Sequence, residues 1–141
     1  MEPARVVVEA AALARPAKAL DLACGRGRNA NYLRSRGWSV VGVDIIEGSD
    51  LVLDLETNAP LPFDDQSFDL ACIVHFLWRP LFAEAKRVVR KGGLIACAIH
   101  TERSTMNPKY TVAMGELRSI FADWEILVDR EGDIAEIVAR K

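Results

Sequence analysis

The stretch Asp21-Leu22-Ala23-Cys24-Gly25-Arg26-Gly27-Arg28-Asn29 has residue types and spacing suited to chemistry. Its two glycines stand where an apolar run gives way to a helical pattern. There they let backbone amides approach a ligand and aim the positive end of a helix at it. Asp44 closes the next apolar run about 20 residues on, where a carboxylate can accept hydrogen bonds from two ribose hydroxyls. By themselves the glycines need only serve a tight turn; with the acidic partner they imply an adenosine-containing cofactor. Gly25-x-Gly27-x-x-Ala30 also satisfies the dinucleotide fingerprint, which keeps a nicotinamide cofactor in play. Two details lean away from it: Asp21 lies within the strand end, ahead of the first glycine, and the chain closes with a hairpin instead of further βα units.

The elements that must position these residues are legible in the apolar pattern. Pro3 to Arg15 reads as a short helix closed by Pro16, and Lys18 to Ala23 as a buried strand. A helical stretch runs from Gly27 to about Arg36, and Ser39 to Val43 has the continuous β-branched look of a central parallel strand. Phe68 to Val74 and Leu94 to Ile99 are further buried strands. Between them a helix from Arg79 to Arg90 puts Leu81, Phe82, Ala85, Val88 and Val89 on one face and is ended by Gly92-Gly93. Leu117, Ile120, Phe121 and Trp124 are spaced as a helix, and Glu125–Arg130 with Ile134–Ala139 flank Glu131-Gly132-Asp133 as a hairpin. The expectation is one α/β domain over residues 1–141. Residues 1–16 form its N-terminal helix, and 17–141 form a Rossmann-like, doubly wound, mainly parallel sheet ending in an antiparallel hairpin.

Composition narrows the class. The 141 residues suit one domain. Eighteen basic and 20 acidic residues give a net charge of -2, without the basic concentration of a DNA-binding face. No apolar run reaches the length of a membrane span. Met1-Glu2-Pro3-Ala4-Arg5 lacks a signal-peptide layout, and three scattered cysteines suit a reducing compartment, so a cytoplasmic protein is expected. Two histidines and no paired cysteines leave no metal-ligand spacing.

At the glycine loop the sequence resembles the class I S-adenosylmethionine-dependent methyltransferases. Ala19 to Asn29 looks like that family's first motif, and Trp38 to Asp44 looks like its second strand. Cys24-Gly25-Arg26-Gly27-Arg28-Asn29 is similar to the tellurite-resistance and thiopurine methyltransferase-like subgroup. The likeness continues through Phe76–Leu81, Lys91–Leu94, Gly115–Leu117 and Phe121–Trp124 to Ile137–Lys141. It implies S-adenosyl-L-methionine as cofactor. Asp21, Ala23, Cys24, Gly25 and Gly27 would wrap its methionine half, with Arg28 and Asn29 within reach of the carboxylate. Asp44 would hold the ribose, and Ile45 would lie against the adenine. Asp54 would meet the adenine amino group, Leu55 would continue the wall, and Val74 with His75 would lie under the sulfonium.

Methyl transfer from a sulfonium asks mainly for in-line placement of an acceptor, and a base is needed only when the acceptor arrives protonated. The resemblance puts His75 at the right strand end for that base, with His100 a weaker candidate on the next strand. Arg79, preceding Pro80 at a helix start, would steer an anionic acceptor. Cys24, Cys72 and Cys97 read as small buried residues without a nucleophilic role.

One departure stands out. Only Ile45–Asp50 separates the strand ending at Asp44 from Leu51–Leu53, too few residues for a crossover helix. The expectation is therefore that Leu51–Leu53 is extended but not a properly paired parallel strand, leaving Asp44 near a sheet edge and the adenine side open. A homodimer covering that edge would remove the liability. The leading function is methyl transfer to a small-molecule acceptor. A catalytically silent S-adenosylmethionine-binding module and an NAD-dependent oxidoreductase are the alternatives. DNA amino-methylation is not expected, because Ile73-Val74-His75-Phe76 is not an Asn/Asp-Pro-Pro-aromatic signature.

Overall fold

A computed structural model describes residues 1–141. Seven strands run β1 Lys18–Leu22, β2 Ser39–Asp44, β3 Leu51–Val52, β4 Phe68–Val74, β5 Val89–His100, β6 Glu125–Glu131 and β7 Ile134–Arg140. They form one sheet in the order β3-β2-β1-β4-β5-β7-β6. The β3, β2, β1, β4 and β5 neighbours are parallel, whereas β7 pairs antiparallel with β5 and β6 with β7. Strand order reverses between β1 and β4, and in such sheets the crevice beyond the carboxyl ends at that reversal receives the ligand.

Helices cover both faces, which is why the central strands are apolar on both sides. In β4, Leu70 and Cys72 join Val6, Val7 and Ala10 of α1 (Arg5–Ala12) and Leu33 of α2 (Arg28–Ser35) in one apolar layer. Ala71 and Ile73 face the other layer, with Leu81, Phe82 and Ala85 of α3 (Pro80–Val88) and Leu117 of α4 (Glu116–Ile120). An ion-pair network holds α1 to the hairpin. Glu136, buried on β7, pairs with both Arg5 and Arg130, and Arg130 reaches Glu9 as well.

Three expectations need revision. Gly92-Gly93 does not end the helix; α3 stops at Val88 and the glycines lie inside β5. Gly93 is required there because a Cβ would sit 2.9 Å from the backbone oxygens of Arg90 and Asp69. The last helix is also shorter than its spacing suggests, since Phe121–Trp124 folds as turns beyond α4. Finally, β3 does pair in parallel with β2, at Val43–Leu51 and Asp44–Val52, with the Leu53 amide donating to the Asp44 carbonyl at 2.9 Å. A short link suffices because it carries the chain back only to the level of Val43, not to the start of β2. The crossover helix is absent, as expected, and no strand flanks Ser39–Gly42 on the outer side.

Candidate cofactor and acceptor site

The loop after β1 alternates into the left-handed region at Ala23, Gly25 and Gly27. A Cβ on Gly25 would meet nothing within 4 Å, so its positive φ, and not crowding, calls for glycine. The loop is tied to β2 at two points: the Cys24 amide donates to the Val43 carbonyl at 3.0 Å, and the Gly25 amide to Asp44 Oδ2 at 2.9 Å. Asp44 Oδ1 accepts the Ile45 amide at 2.7 Å. Oδ1 also accepts the Ile46 amide at 3.4 Å, whereas Oδ2 keeps a second lone pair, so Asp44 shapes the loop and still has acceptor capacity for a ribose hydroxyl.

Asp21 lies beneath the loop, 1% exposed. Burial pushes its carboxyl up to about 7, while the Ala30 amide and Arg28 pull in the other direction. Its Oδ2 has no hydrogen-bond partner within the protein. The neighbouring side chains serve the fold. Asn29 is buried, and its Oδ1 accepts the Ala4 amide at 2.8 Å, fixing the start of α1. Arg28 donates to the Glu2 carbonyl at 3.0 Å. Cys24 turns its sulfur toward Gly42, and burial raises its pKa.

A cleft of about 310 Å³ opens beside Asp44. Ala23, Ile45, Leu53, Leu55 and Phe76 supply apolar walls, with Asp44, Asp54 and Glu56 as carboxylates. Asp54 Oδ1 accepts the Glu56 amide at 2.9 Å. A cleft with apolar walls and carboxylates along it suits an adenosine moiety, whose base packs and whose hydroxyls and amino group donate. The cleft thus brings Asp44, Ile45, Asp54 and Leu55 together. Ile45 is 66% exposed, so this side of the cleft is open to solvent.

A second cavity, of about 270 Å³, lies past Phe76 and shares Glu56 and Phe76 with the cleft. His75 follows the buried Val74 at the end of β4 and adopts a φ of 55°, uncommon for a non-glycine residue. Its amide donates to the Ala98 carbonyl at 2.7 Å, and its ring lies 5.1 Å from that of His100. Burial, then His100 and Arg28, lower its pKa. Arg79 stands apart from this cavity: its guanidinium forms a two-point pair with Glu116, at 2.6 and 3.0 Å. Met106 and Tyr110 also line the second cavity, and so does Glu56, which was not singled out from sequence. For Glu56 the one available signal was its place two residues beyond Asp54.

A seven-stranded sheet of this order, with a glycine loop after β1 and an acidic residue closing β2, defines a Rossmann-like protein of the class I S-adenosylmethionine-dependent methyltransferase type. Residues 20–97 match the methyltransferase domain family, and the chain belongs to that family. It is 31% identical over 144 residues to a probable S-adenosyl-L-methionine-dependent methyltransferase TehB of Haemophilus influenzae, covering 86% of this chain and 50% of the relative. It is likewise 31% identical to Hemagglutinin 1 of Eikenella corrodens, over 84% of this chain and 47% of that one. The chain spans about half the length of these curated relatives. The crystal structure of TehB from Haemophilus influenzae superposes with a TM-score of 0.86 at 24% identity, over 96% of this chain and 61% of that one. A Burkholderia thailandensis 1,6-didemethyltoxoflavin-N1-methyltransferase, solved with bound 1,6-didemethyltoxoflavin and S-adenosylhomocysteine, superposes with a TM-score of 0.73 at 19% identity, over 96% of this chain and 76% of that one. No helix is long and apolar enough to cross a membrane.

Proposed function

We propose that this protein transfers a methyl group from S-adenosylmethionine to a small-molecule acceptor, with residues 1–141 working as one domain. The observation that carries the reading is the Asp44 carboxylate, which anchors Gly25 at 2.9 Å while lining the apolar cleft. When bound, the cofactor supplies an electrophilic methyl group. Asp44 would accept a ribose hydroxyl. Ile45 and Leu55 would sandwich the base, and Asp54 would take its amino group. The backbone of Ala23, Cys24, Gly25 and Gly27 would surround the methionine half, above Asp21. Val74 and His75 end β4 beside the cavity open to an acceptor. Arg28 and Asn29 open α2 beside this loop. Unpaired Cys72 and Cys97, both buried, support a reducing, cytoplasmic setting.

Calorimetric titration with S-adenosylmethionine, S-adenosylhomocysteine and NADH tests the reading, with Asp44→Ala as control. Both adenosyl ligands are expected to bind and NADH is not. Binding of NADH alone would overturn the proposal. Binding of the adenosyl ligands without turnover of any acceptor would favour a silent module.

A further inference from the structure

Resting on the methyl-transfer reading, we infer that the second cavity takes a flat, uncharged aromatic acceptor with an ionisable ring hydroxyl or ring N–H, and that His75 removes its proton. The location comes first. Because this cavity and the Asp44 cleft share Glu56 and Phe76, an acceptor in one abuts whatever fills the other. Lining chemistry comes second. Phe76, Met106 and Tyr110 offer aromatic and thioether surface, which favours a flat apolar molecule.

Charge argues in the same direction. Neither lysine nor arginine lines the cavity, and its one acidic lining residue is Glu56. Arg79, the cation positioned to steer an anion, is occupied by Glu116 and lines a neighbouring cavity. An oxyanion entering here would face the Glu56 carboxylate, while Lys109, whose ammonium lies 5.5 Å from the centre of the Tyr110 ring, lines the neighbouring cavity and not this one.

His75 is suited to take a proton. Burial, His100 and Arg28 favour its neutral imidazole, with Glu136 opposing them, so the ring reaches neutral pH as an acceptor. Glu56 and Tyr110 are the other ionisable groups on the cavity wall. The strained φ of 55° persists because the His75 amide is held by Ala98, and it sets the direction of the side chain. His100 packs its ring 5.1 Å from that of His75 and so acts as a positioning residue for it. In the step, the acceptor's O–H or N–H proton passes to the His75 imidazole. The freed electron pair forms the bond to the methyl carbon, and the carbon–sulfur bond breaks with its pair going to sulfur. The products are methylated acceptor, neutral S-adenosylhomocysteine and a protonated His75 that returns its proton to water.

The test uses the whole chain and three probes, phenol, 4-nitrophenol and benzimidazole, against benzoate and selenite. S-adenosylhomocysteine binding is measured first, for the wild type, His75→Gln and His100→Gln, and shows that each is folded with a formed cofactor site. If the wild type does not bind it, the methyl-transfer reading and this inference fall together. If it binds, at least one neutral aromatic probe is expected to be methylated with kcat/KM about tenfold or more above either anion. His75→Gln is then expected to lower kcat on phenol about 100-fold or more. Its deficit should shrink on 4-nitrophenol at a pH where that probe is already ionised and needs no base. His100→Gln is expected to shift the pH profile with little change in cofactor affinity. Preference for selenite or benzoate, no turnover of any aromatic probe, or a His75→Gln deficit equal on ionised and neutral phenols would overturn this inference alone.

Discussion

Asp50 Oδ2 accepts the Gly42 amide at 2.8 Å, and so completes the edge of the sheet where a strand is missing. The same oxygen pairs with Arg34, whose guanidinium also donates to the Val40 carbonyl at 3.2 Å. Two side chains thus satisfy the Gly42 amide and the Val40 carbonyl on the outer side of β2. An edge capped in this way is a poor template for another strand.

Asp50→Ala is expected to cost about 1–2 kcal/mol, the range for leaving a partly buried donor unpaired. Urea denaturation reads the loss. Sedimentation velocity should show more self-association than in the wild type, because the Gly42 amide becomes available.

Asp44→Ala removes both the candidate ribose acceptor and the anchor of Gly25. S-adenosylhomocysteine affinity should fall about 10–100-fold by calorimetry, with Asp44→Asn intermediate, since an amide oxygen can replace only part of the carboxylate's capacity. Unchanged affinity in Asp44→Ala would remove the central support for the cofactor site.

Asp21 makes stability depend on pH. Its folded pKa of about 7 lies above the ordinary carboxyl value near 3.8. The folded state therefore binds more protons than the unfolded state between those values. Its stabilising contribution is complete below about pH 4 and is lost as pH rises toward 7 and beyond. Asp21→Asn keeps an acceptor for Ala30 and removes the buried charge. It should match the wild type near pH 4.5 and exceed it by about 2–4 kcal/mol at pH 8 in urea titrations. Equal stability at both pH values would contradict the burial argument.

The Arg79–Glu116 pair ties the start of α3 to the start of α4. Arg79 is 53% exposed, so solvent discounts the interaction, and a double-mutant cycle should return a coupling of about 0.5–1 kcal/mol. Arg79→Lys should lose most of it, because a lysine cannot make the two-point contact. Cofactor affinity should not change.

Gly93→Ala would force a Cβ against the backbone oxygens of Arg90 and Asp69, neither of which can yield without shifting β5 or β4. A loss of about 2–3 kcal/mol is expected, measured by denaturation, and a neutral outcome would show that the strand relaxes.

Much of this architecture is legible from local pattern. The run Phe68–Val74 announces a strand buried on both faces, and it forms at those bounds. The glycine spacing and Asp44 foretell their meeting, because one βαβ unit brings them together through a helix of eight residues. Gly92-Gly93 misled because a glycine pair reads as a helix stop. Only the close passage of the Asp69 backbone shows that a strand needs it.

The sequence by itself determined the fold class, the glycine loop and its acidic partner, and the missing crossover, since each depends on neighbours in the chain or on length. The tertiary structure decided which side chains remain free to act. Arg79 pairs with Glu116, 37 residues away. Asn29 lends its oxygen to the Ala4 amide, 25 residues away. Asp50 carried no signal until folding set it against Gly42. Such partners are distant in sequence and weak in periodicity, and only packing brings them within hydrogen-bond reach.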